Sequence, residues 1–529
     1  IMAPLSITQE ALEARLWAAA NALRGPVDPS EFKSYVFPVL FFKWISDTWD
    51  LEHAQAVEEV GAHITEEEEA DYHRFAVPAG CHWGDVTGAG RHIGIALRDA
   101  LNRLEQVNSQ ALASIFGIVD WADTDRVPEA HLVKLLDVFN GITLNRSVVP
   151  NDMLGAAYEY LLRQFADESG RKAGEFFTPR EVVHLLVGLL RPTENETVYD
   201  PACGSGGMLV ETSNAVKAGG GDTRTLRLYG QEINLTTSAI ARMNLFLHDL
   251  EDFRIIREDT LREPRHLTAE GTLQTFDVVI ANPPFSLKNW GAETWVGDPF
   301  GRWFCGVPPS NSADLAWVQH MIASMDGEKG RVGVVMPHGV LFRAGAEQRI
   351  RQCLLESDLL DAVIGLPANL FYSTTIPACI LIFRAKKEKV RANNILFVDG
   401  SLRFAKGRNQ NSMSTRDVSD ILDAAASRRP TTSWDRARLL PIYQVRANGW
   451  DLSISRYIAR LNAAELDIEG ALTRYRAAES ALALAQEQLI AQWDVAGNRS
   501  KRLLPHEARP QAGKLAFLQT SKALVKVGG

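Results

Sequence analysis

Residues 276–285 read FDVVIANPPF, and this stretch decides the fold of the chain. Its first six residues are mostly apolar and β-branched, which is typical of a strand buried on both faces of a parallel sheet. The run stops at Asn282, because the two prolines that follow have no N–H to donate to a neighbouring strand. An aromatic residue, Phe285, comes directly after them. The sequence therefore predicts a buried strand that ends in an amide, a stiff turn and a ring.

Similar apolar runs alternate with helical periodicity through the middle of the chain, from about residue 170 onward. Near-continuous apolar strands separated by helices indicate a mostly parallel sheet covered by helices on both faces. The run ACILIFRA follows LLDAVIGLP closely, which is compatible with an antiparallel pair late in the sheet. The predicted strands are TVYDPA, LRLYGQEI, FRIIRED, FDVVIAN, RVGVVMP, LLDAVIGLP, ACILIFRA and NILFVDG, and the helices predicted between them include GGMLVETSNAVKA, TTSAIARMNLFLHDL, DLAWVQHMIASM and AEQRIRQCLL.

The chain divides into three predicted regions: an N-terminal helical domain over 1–150, an α/β domain over 151–440 and a C-terminal helical region over 441–529. The C-terminal region carries an apolar stripe that fits a helix packed on its own domain and equally a helix docked on a partner's helices. The apolar positions that predict the first two helices are Leu12, Leu16, Ala19, Leu23, Phe37, Leu40, Phe41, Trp44 and Ile45, and those of the C-terminal stripe are Leu461, Leu466, Leu472, Tyr475, Leu482 and Leu489.

Composition excludes several classes of protein. The 529 residues are 46% hydrophobic and 23% charged, which argues against a disordered or fibrous chain. No apolar run approaches the roughly 18 residues of a membrane span, and the N-terminal stretch is typical of an amphipathic helix, not of a signal peptide. The five cysteines lie far apart without a CxxC pair, so we expect no metal site, no disulfide framework and a reducing, cytoplasmic location. The net charge of −9 suggests that, if the chain binds nucleic acid, a partner contributes to that binding.

The segment VYDPACGSGGML, residues 198–209, is predicted to pass from a strand through a glycine-rich turn into a helix. The strand ends at Asp200, and the small residues after it let a ligand approach backbone N–H groups. In open parallel sheets, ligands bind at the carboxyl ends of the strands, which is where this turn lies. No GK[ST] lysine follows the glycines, so the turn lacks the pattern of a Walker phosphate loop.

Two further strands are predicted to end in carboxylates. Glu232, in LYGQEIN, is suited to accept hydrogen bonds from both hydroxyls of a ribose. Asp259, in IREDTL, is suited to accept one from an adenine amino group. With Asp200 and the glycine-rich turn, these carboxylates predict a pocket for a nucleoside that carries a substituent other than phosphate.

The end of the FDVVIANPPF strand is predicted to supply the chemistry. An exocyclic base amine is a poor nucleophile, because its lone pair is delocalised into the ring. Two acceptors on its N–H groups, the Asn282 side-chain oxygen and the Pro283 carbonyl, would localise that lone pair and aim it. Pro283 and Pro284 stiffen the turn, and Phe285 offers a stacking face worth about 1–3 kcal/mol per base. We therefore predict Asn282, Pro283, Pro284 and Phe285 as catalytic residues.

These motifs, in this order, resemble the adenine-N6 DNA methyltransferases, and in particular the modification subunit of type I restriction–modification systems. The resemblance implies an α/β fold, a Rossmann-like S-adenosylmethionine-dependent methyltransferase sheet with an N-terminal all-α domain and a C-terminal long-helix tail. It implies S-adenosyl-L-methionine as the cofactor and a flipped-out adenine as the substrate. The motifs that carry it are GEFFTPREVVHLL, DPACGSGGML, ARMNLFLH, DTL, ANPPF, GVVMPHGVLFR, IRQCLLE, VIGLPANLFYSTTIPACILIF and WDLSISRYI.

The resemblance also implies a set of cofactor-binding residues. GEFFTPR is expected to close over the methionine part of the cofactor, with Phe177 able to face the sulfonium cation. Asp200 and Gly204 are expected to line the methionine and ribose, with Glu232 at the ribose and Asp259 at the adenine. The full set is Glu175, Phe176, Phe177, Thr178, Pro179, Asp200, Pro201, Ala202, Gly204, Ser205, Gly206, Gly207, Glu232, Asn234, Asp259 and Thr260.

The partners implied by the resemblance are a specificity subunit, a second copy of the modification subunit, a restriction subunit and double-stranded DNA, in a prokaryotic cytoplasm. Residues 400–450 are too few for a target-recognition domain, which fits recognition by a separate subunit. Three alternatives stay open. They are a fused enzyme with nuclease residues at Asp28, Glu31 and Lys33, a methyltransferase acting on cytosine N4 or on protein, and a non-catalytic assembly or DNA-clamping subunit.

Overall fold

The structure is a computed structural model that describes residues 7–61, 63–169, 178–371, 376–407, 410–426, 436–458, 475–485 and 488. The chain forms two compact units, residues 1–458 and residues 459–529. In the second unit residues 475–485 are helical, and Tyr475 and Leu482 are exposed. The remaining positions of the predicted C-terminal stripe lie outside the described residues. The three-region division of the sequence stays a prediction.

The first part of the larger unit is helical. Its elements are α1 (Gln9–Ala22), α2 (Phe32–Val60), α3 (Glu66–Ala70), α4 (Trp83–Thr87), α5 (Ile93–Val107), α6 (Ser109–Leu112), α7 (Glu129–Phe139) and α8 (Asn151–Ser169). The predicted apolar positions of α1 and α2 are buried, because both helices pack their apolar residues into one shared core.

Nine strands form a single sheet in the order β3-β2-β1-β4-β5-β7-β6-β8-β9. The strands are β1 (Thr197–Asp200), β2 (Arg227–Glu232), β3 (Phe253–Arg257), β4 (Val278–Ala281), β5 (Arg331–Pro337), β6 (Leu360–Gly365), β7 (Ala378–Arg384), β8 (Asn394–Asp399) and β9 (Ala437–Pro441). The helices among them are α9 (Arg180–Leu190), α10 (Gly207–Ala218), α11 (Leu235–Leu247), α12 (Asp314–Ala323), α13 (Gly339–Phe342), α14 (Ala346–Glu356), α15 (Thr415–Ala426), α16 (Ile442–Ala447) and α17 (Ile454–Tyr457).

The first five strands run parallel, so the carboxyl ends of β1, β2, β3 and β4 share one edge of the sheet. Strand β7 lies between β5 and β6 and is antiparallel to both. The predicted antiparallel pair is therefore confirmed. Strands β1, β4, β5 and β6 are buried along their whole length, as their near-continuous apolar sequences predict.

The helical part packs directly on the sheet part through α11. The ring of Phe41 on α2 stacks on Phe246 of α11 with ring centroids 5.9 Å apart. The hydroxyl of Tyr158 on α8 donates a hydrogen bond of 2.9 Å to the Ile240 carbonyl of α11. Helix α11 thus lies between the helical core and the sheet, and the same helix carries residues beside the glycine-rich turn.

Two sequence expectations miss features of the fold. Strand β9 was not predicted: it pairs only with β8 at the edge of the sheet, contains Arg438 and ends in Pro441, so it lacks a continuous apolar run. The spacing of the cysteines indicates no disulfide framework and a reduced chain, but Cys305 and Cys353 form a disulfide with Cα atoms 5.5 Å apart. These two cysteines are 48 residues apart, and only the packing of α14 brings them together. Among the described helices, none is both long and apolar enough to cross a bilayer.

Candidate active site

An open cleft lies at the carboxyl ends of β1 and β4, beside the glycine-rich turn. Residues from five separate segments line it, among them Thr178, Asp200, Gly204, Ser205, Asn244 and Asn282. The glycine-rich turn and Asn282, directly after β4, therefore share one cleft, as the common edge of parallel strands requires.

The glycines of the turn have two different functions. Gly204 and Gly206 both have positive φ angles, +53° and +80°, which favour glycine over other residues. A Cβ on Gly204 would meet no atom within 4 Å, so this side of the turn is open to a ligand. A Cβ on Gly206 would lie 3.4 Å from the backbone oxygen of Ala241 on α11. Gly206 thus allows close packing, whereas Gly204 leaves space at the cleft.

Asp200 ends β1 and is almost completely buried. Its Oδ1 accepts a hydrogen bond of 3.0 Å from the backbone N–H of Ala202. Burial, and secondarily the nearby charge of Glu232, raise the pKa of Asp200 to about 8. Without a cation beside it, this carboxyl group is therefore largely protonated at neutral pH.

Glu232 ends β2 and holds the glycine-rich turn. Its Oε2 accepts a hydrogen bond of 3.1 Å from the N–H of Gly204, and its Oε1 accepts one of 2.8 Å from the N–H of Asn234. The Asn234 side chain in turn caps α11, because its Oδ1 accepts from the N–H of Thr237 at 3.0 Å. The Glu232 carboxylate thus links the end of β2 to the turn that follows β1.

Asp259 and Thr260 follow β3 and have separate contacts. The Oδ1 of Asp259 accepts hydrogen bonds from the N–H groups of Leu261 and Arg262, and its Oδ2 lies 3.4 Å from the Arg262 guanidinium. The Thr260 hydroxyl donates a hydrogen bond of 2.6 Å to the carbonyl of Pro201. Thr260 therefore fastens the turn after β1. The Asp259 carboxylate caps its own turn and is not among the residues that line the cleft.

Asn282 presents its side-chain oxygen as a fixed acceptor. Its Nδ2 donates a hydrogen bond of 2.8 Å to Oγ1 of Thr178. Its Oδ1 is buried and accepts no hydrogen bond from any residue that the structure describes. Buried polar atoms normally have a partner, so an unpartnered acceptor at the end of β4 indicates a place for a ligand donor. The Phe285 ring, two prolines further on, meets Phe371 edge to face at 5.8 Å.

A buried ionic network that the sequence did not reveal supports the residue after Phe285. Ser286 has a φ angle of +51°, and its N–H donates a hydrogen bond of 2.6 Å to Oδ1 of Asp314. Asp314 is 1% exposed, and its Oδ2 lies 3.0 Å from the Arg343 guanidinium, which also contacts Glu347 at 3.2 Å. Two helices distant in sequence, α12 and α14, thereby fix the backbone that follows the catalytic motif.

The remaining predicted site residues lie near the cleft or outside the described chain. Pro179 precedes α9 as its N-cap, and Ser205 and Gly207 line the cleft with Ala202. Glu175, Phe176 and Phe177 lie outside the described residues. The sequence reasoning missed Asn244 and Asp314. The sequence could have indicated Asn244, because a polar residue within the apolar run of α11 needs a hydrogen-bond partner when it is buried.

Seven strands of the sheet lie in the order β3-β2-β1-β4-β5-β7-β6, with β7 antiparallel, and the cleft lies at the carboxyl ends of β1 and β4. These features define the class of a Rossmann-like methyltransferase. Residues 149–465 match the N-6 DNA Methylase family, and residues 12–139 match the HsdM N-terminal domain. A type I restriction enzyme methylase subunit of Methanocaldococcus jannaschii, MjaVII, is 32% identical over 75% of this chain and 69% of its own. The MpnII methylase subunit of Mycoplasma pneumoniae is 29% identical over 87% and 91%.

A solved structure agrees with these relatives. The type I restriction-modification methyltransferase subunit of Streptococcus thermophilus is 30% identical, covers 86% of this chain and 100% of its own, and superposes with a TM-score of 0.76. The chain therefore belongs to the N-6 DNA methylase family, as a type I restriction methylase subunit that methylates adenine N6 with S-adenosylmethionine.

Proposed function

We propose that this chain methylates an adenine that is flipped out of double-stranded DNA, inside a complex that also contains a specificity subunit and a second copy of the chain. A restriction subunit also joins that complex. The complex is located in the prokaryotic cytoplasm. The observation that carries the catalytic proposal is the buried, unpartnered Oδ1 of Asn282 in the same cleft as the glycine-rich turn. A fixed acceptor at that place suits a base amine.

The cleft residues fit S-adenosylmethionine. The open space at Gly204 is what a nucleoside needs to approach the backbone, and the buried carboxyl of Asp200 suits a cationic ligand. We name Asp200, Gly204 and Ser205, which line the cleft, together with Glu232, which holds the turn and does not itself line the cleft, the cofactor half. When bound, the cofactor supplies an electrophilic methyl group on a sulfonium.

The residues after β4 form the base half of the cleft: Asn282, Pro283, Phe285 and Ser286. The Oδ1 of Asn282 and the carbonyl of Pro283 accept hydrogen bonds from the two N6 hydrogens of adenine. Methyl transfer would form the N6–CH3 bond as the sulfonium S–CH3 bond breaks, with S-adenosylhomocysteine leaving as a neutral thioether and N6 then losing one proton to solvent. The two oxygens would stabilise the positive charge on N6 before that proton is lost, without having to reorient. Phe285 stacks on the base, and the Thr178 hydrogen bond keeps the amide oxygen turned toward it.

Recognition by a separate subunit is supported by residues 400–450. In place of a recognition domain, this segment contributes elements that pack on the sheet domain: β9 pairs with β8, and α16 follows β9 directly. Arg436, just before β9, is held by Asp399 of β8 at 2.8 Å. The described part of the segment therefore packs on the sheet domain, which supports sequence recognition by another chain.

The contacts of Asp28 and Glu31, two of the residues that suggested a nuclease, do not support that alternative. The Asp28 carboxylate caps the turn before α2, accepting from the N–H of Ser30 at 2.9 Å. Glu31 forms a surface ion pair with Arg126 at 2.7 Å. Both carboxylates thus have structural partners, and neither faces the cleft.

The substitution Asn282→Ala tests the proposal. In the complex reconstituted with its specificity subunit, methyl transfer to DNA should fall by about 100- to 1,000-fold, the loss typical of removing one transition-state hydrogen bond. Binding of S-adenosylmethionine, measured by calorimetry, should be retained. Asn102→Ala, at an exposed position on α5, is the matched control. Full methylation by Asn282→Ala would refute the role of the amide.

A further inference from the structure

A second asparagine in the cleft, Asn244, has the same unusual environment as Asn282. It lies on α11 between buried apolar neighbours and is 0% exposed. Its Nδ2 donates a hydrogen bond of 2.9 Å to the carbonyl of Ser205, in the glycine-rich turn. Because Ser205 offers an acceptor, the amide nitrogen has to face it, and the orientation of the amide is fixed.

The side-chain oxygen of Asn244 lacks a hydrogen-bond partner among the described residues. Its Oδ1 is buried and accepts no hydrogen bond from the part of the chain that the structure describes. Leaving a buried acceptor unpaired costs about 1–3 kcal/mol, so such atoms in folded proteins normally meet a donor. Asn244 lines the same cleft as Asp200 and Asn282, which makes a ligand the available source of that donor.

The position of Asn244 identifies which part of the ligand it meets. In the proposed arrangement the ribose lies at Glu232 and the transferred methyl group faces Asn282. Asn244 contacts the turn at Ser205 and lines the cleft with Asp200 and Gly204, where the methionine part of the cofactor is expected. A methionine group has one strong donor, its α-ammonium, since its carboxylate only accepts.

The charges of the cleft suit the amino-acid end of the cofactor, which carries both an ammonium and a carboxylate. Glu159 of α8 and Glu211 of α10 line the cleft together with Arg163 and Arg180. The side chains of Glu159 and Glu211 are 26% and 18% exposed, so solvent screens their charge only partly. A buried acceptor in a cleft with these two carboxylates is better matched to an ammonium group than to a neutral hydroxyl.

We propose that Oδ1 of Asn244 accepts a hydrogen bond from the α-ammonium group of S-adenosylmethionine and thereby makes Asn244 a cofactor-binding residue. The inference rests on the assignment of this cleft to the cofactor. It explains why a polar side chain occupies a buried position on α11: one end of the amide holds the glycine-rich turn and the other holds the ligand.

The test compares two ligands that differ only in the amino group: S-adenosylhomocysteine and its deamino analogue, the 3-carboxypropyl thioether of 5′-deoxyadenosine. Calorimetry on the full chain should show that the wild-type protein binds the deamino analogue about 10- to 100-fold more weakly, the value of a charge-assisted hydrogen bond. Asn244→Ala should weaken S-adenosylhomocysteine to the same extent and should lose the preference between the two ligands.

Two further variants make the result specific. Asn244→Asp keeps an acceptor at this position and should keep the preference for the amino-bearing ligand, whereas Asn102→Ala should behave as wild type in every titration. Equal affinity of the wild-type protein for both ligands would overturn the inference without any variant. A preference in Asn244→Ala as large as in the wild type would overturn it too. Absence of binding by either ligand to the wild type would instead count against the cofactor assignment of the cleft.

Discussion

The cofactor half and the base half of the cleft differ in where their supporting contacts come from. In the cofactor half, Glu232 at the end of β2 holds Gly204 after β1, and Thr260 after β3 holds Pro201. These supports come from the ends of neighbouring strands. Once the parallel sheet forms, the strand ends lie side by side and the contacts follow.

The base half is supported from outside its own strand neighbours. Asn282 is oriented by Thr178, which precedes α9 and is 104 residues away in sequence. Ser286 is held by Asp314 at the start of α12, and Arg343 joins that carboxylate to Glu347 on α14. The disulfide between Cys305 and Cys353 ties α14 to the loop before α12.

Because their supports differ, a substitution should be able to affect one half of the cleft without affecting the other. The cofactor half depends on the sheet, and the base half depends on packing of helices and loops around β4. A change in the network of Asp314 should therefore affect the handling of the base while leaving cofactor affinity intact, and a change at Asp200 should do the opposite.

Among the changes that test the separation of the two halves, Asp314→Ala should have the largest effect. Removing this carboxylate takes away one of the two buried carboxylates that contact Arg343 and leaves the Ser286 N–H without its acceptor, at a cost of about 3 kcal/mol in the free energy of unfolding. Since misplacement of a reacting group by about 1 Å costs about 100-fold in rate, kcat for methyl transfer should fall by that order. Cofactor affinity, measured by calorimetry, should stay at the wild-type value.

Asp125→Ala, at an exposed position before α7, is the matched control and should change neither quantity. Arg343→Lys keeps the charge but loses the planar fork, so its kcat should lie between the wild type and Asp314→Ala. If Asp314→Ala weakened cofactor binding as much as it slowed transfer, the separation of the two halves would be wrong.

Breaking the disulfide should have the next largest effect. Because the bond closes a loop of 48 residues, reduction or the double substitution Cys305→Ser and Cys353→Ser should lower the free energy of unfolding by about 2–4 kcal/mol. Urea denaturation with and without reductant measures this. The reductant should leave the double variant unchanged, and a thiol titration of the unfolded wild type should count the three free cysteines, Cys81, Cys203 and Cys379. A count of five thiols would contradict the bond.

The smallest effect is a pH dependence in the cofactor half. Burial raises the pKa of Asp200 to about 8, so the free protein holds a proton there at neutral pH. A cationic ligand beside the carboxyl favours its ionised form and lowers the pKa, so binding releases a proton below about pH 8. Affinity for S-adenosylmethionine should therefore increase from pH 6 to about pH 8 and then level off.

Calorimetry of the wild type and of Asp200→Asn across this range measures the dependence. The ionisation of the ligand itself affects both proteins equally, so the difference between them reports the carboxyl group. Identical pH profiles would show that Asp200 does not titrate on binding. The cofactor affinity of Asp314→Ala should follow the wild-type pH profile, because Asp200 is outside the base half.

Sequence reasoning alone predicted eight of the nine strands of the described sheet, the glycine-rich turn and the asparagine at the end of β4. These features are local: an apolar run, a glycine or a proline limits the backbone wherever it occurs, and parallel strands bring their ends to one edge. The contacts that hold these features in place became visible in the three-dimensional structure. They are the hydrogen bonds of Thr178 with Asn282, of Asp314 with Ser286 and of Asn244 with Ser205, and the disulfide between Cys305 and Cys353. Such pairs depend on how helices pack over the sheet, and no short-range pattern in the chain encodes that packing.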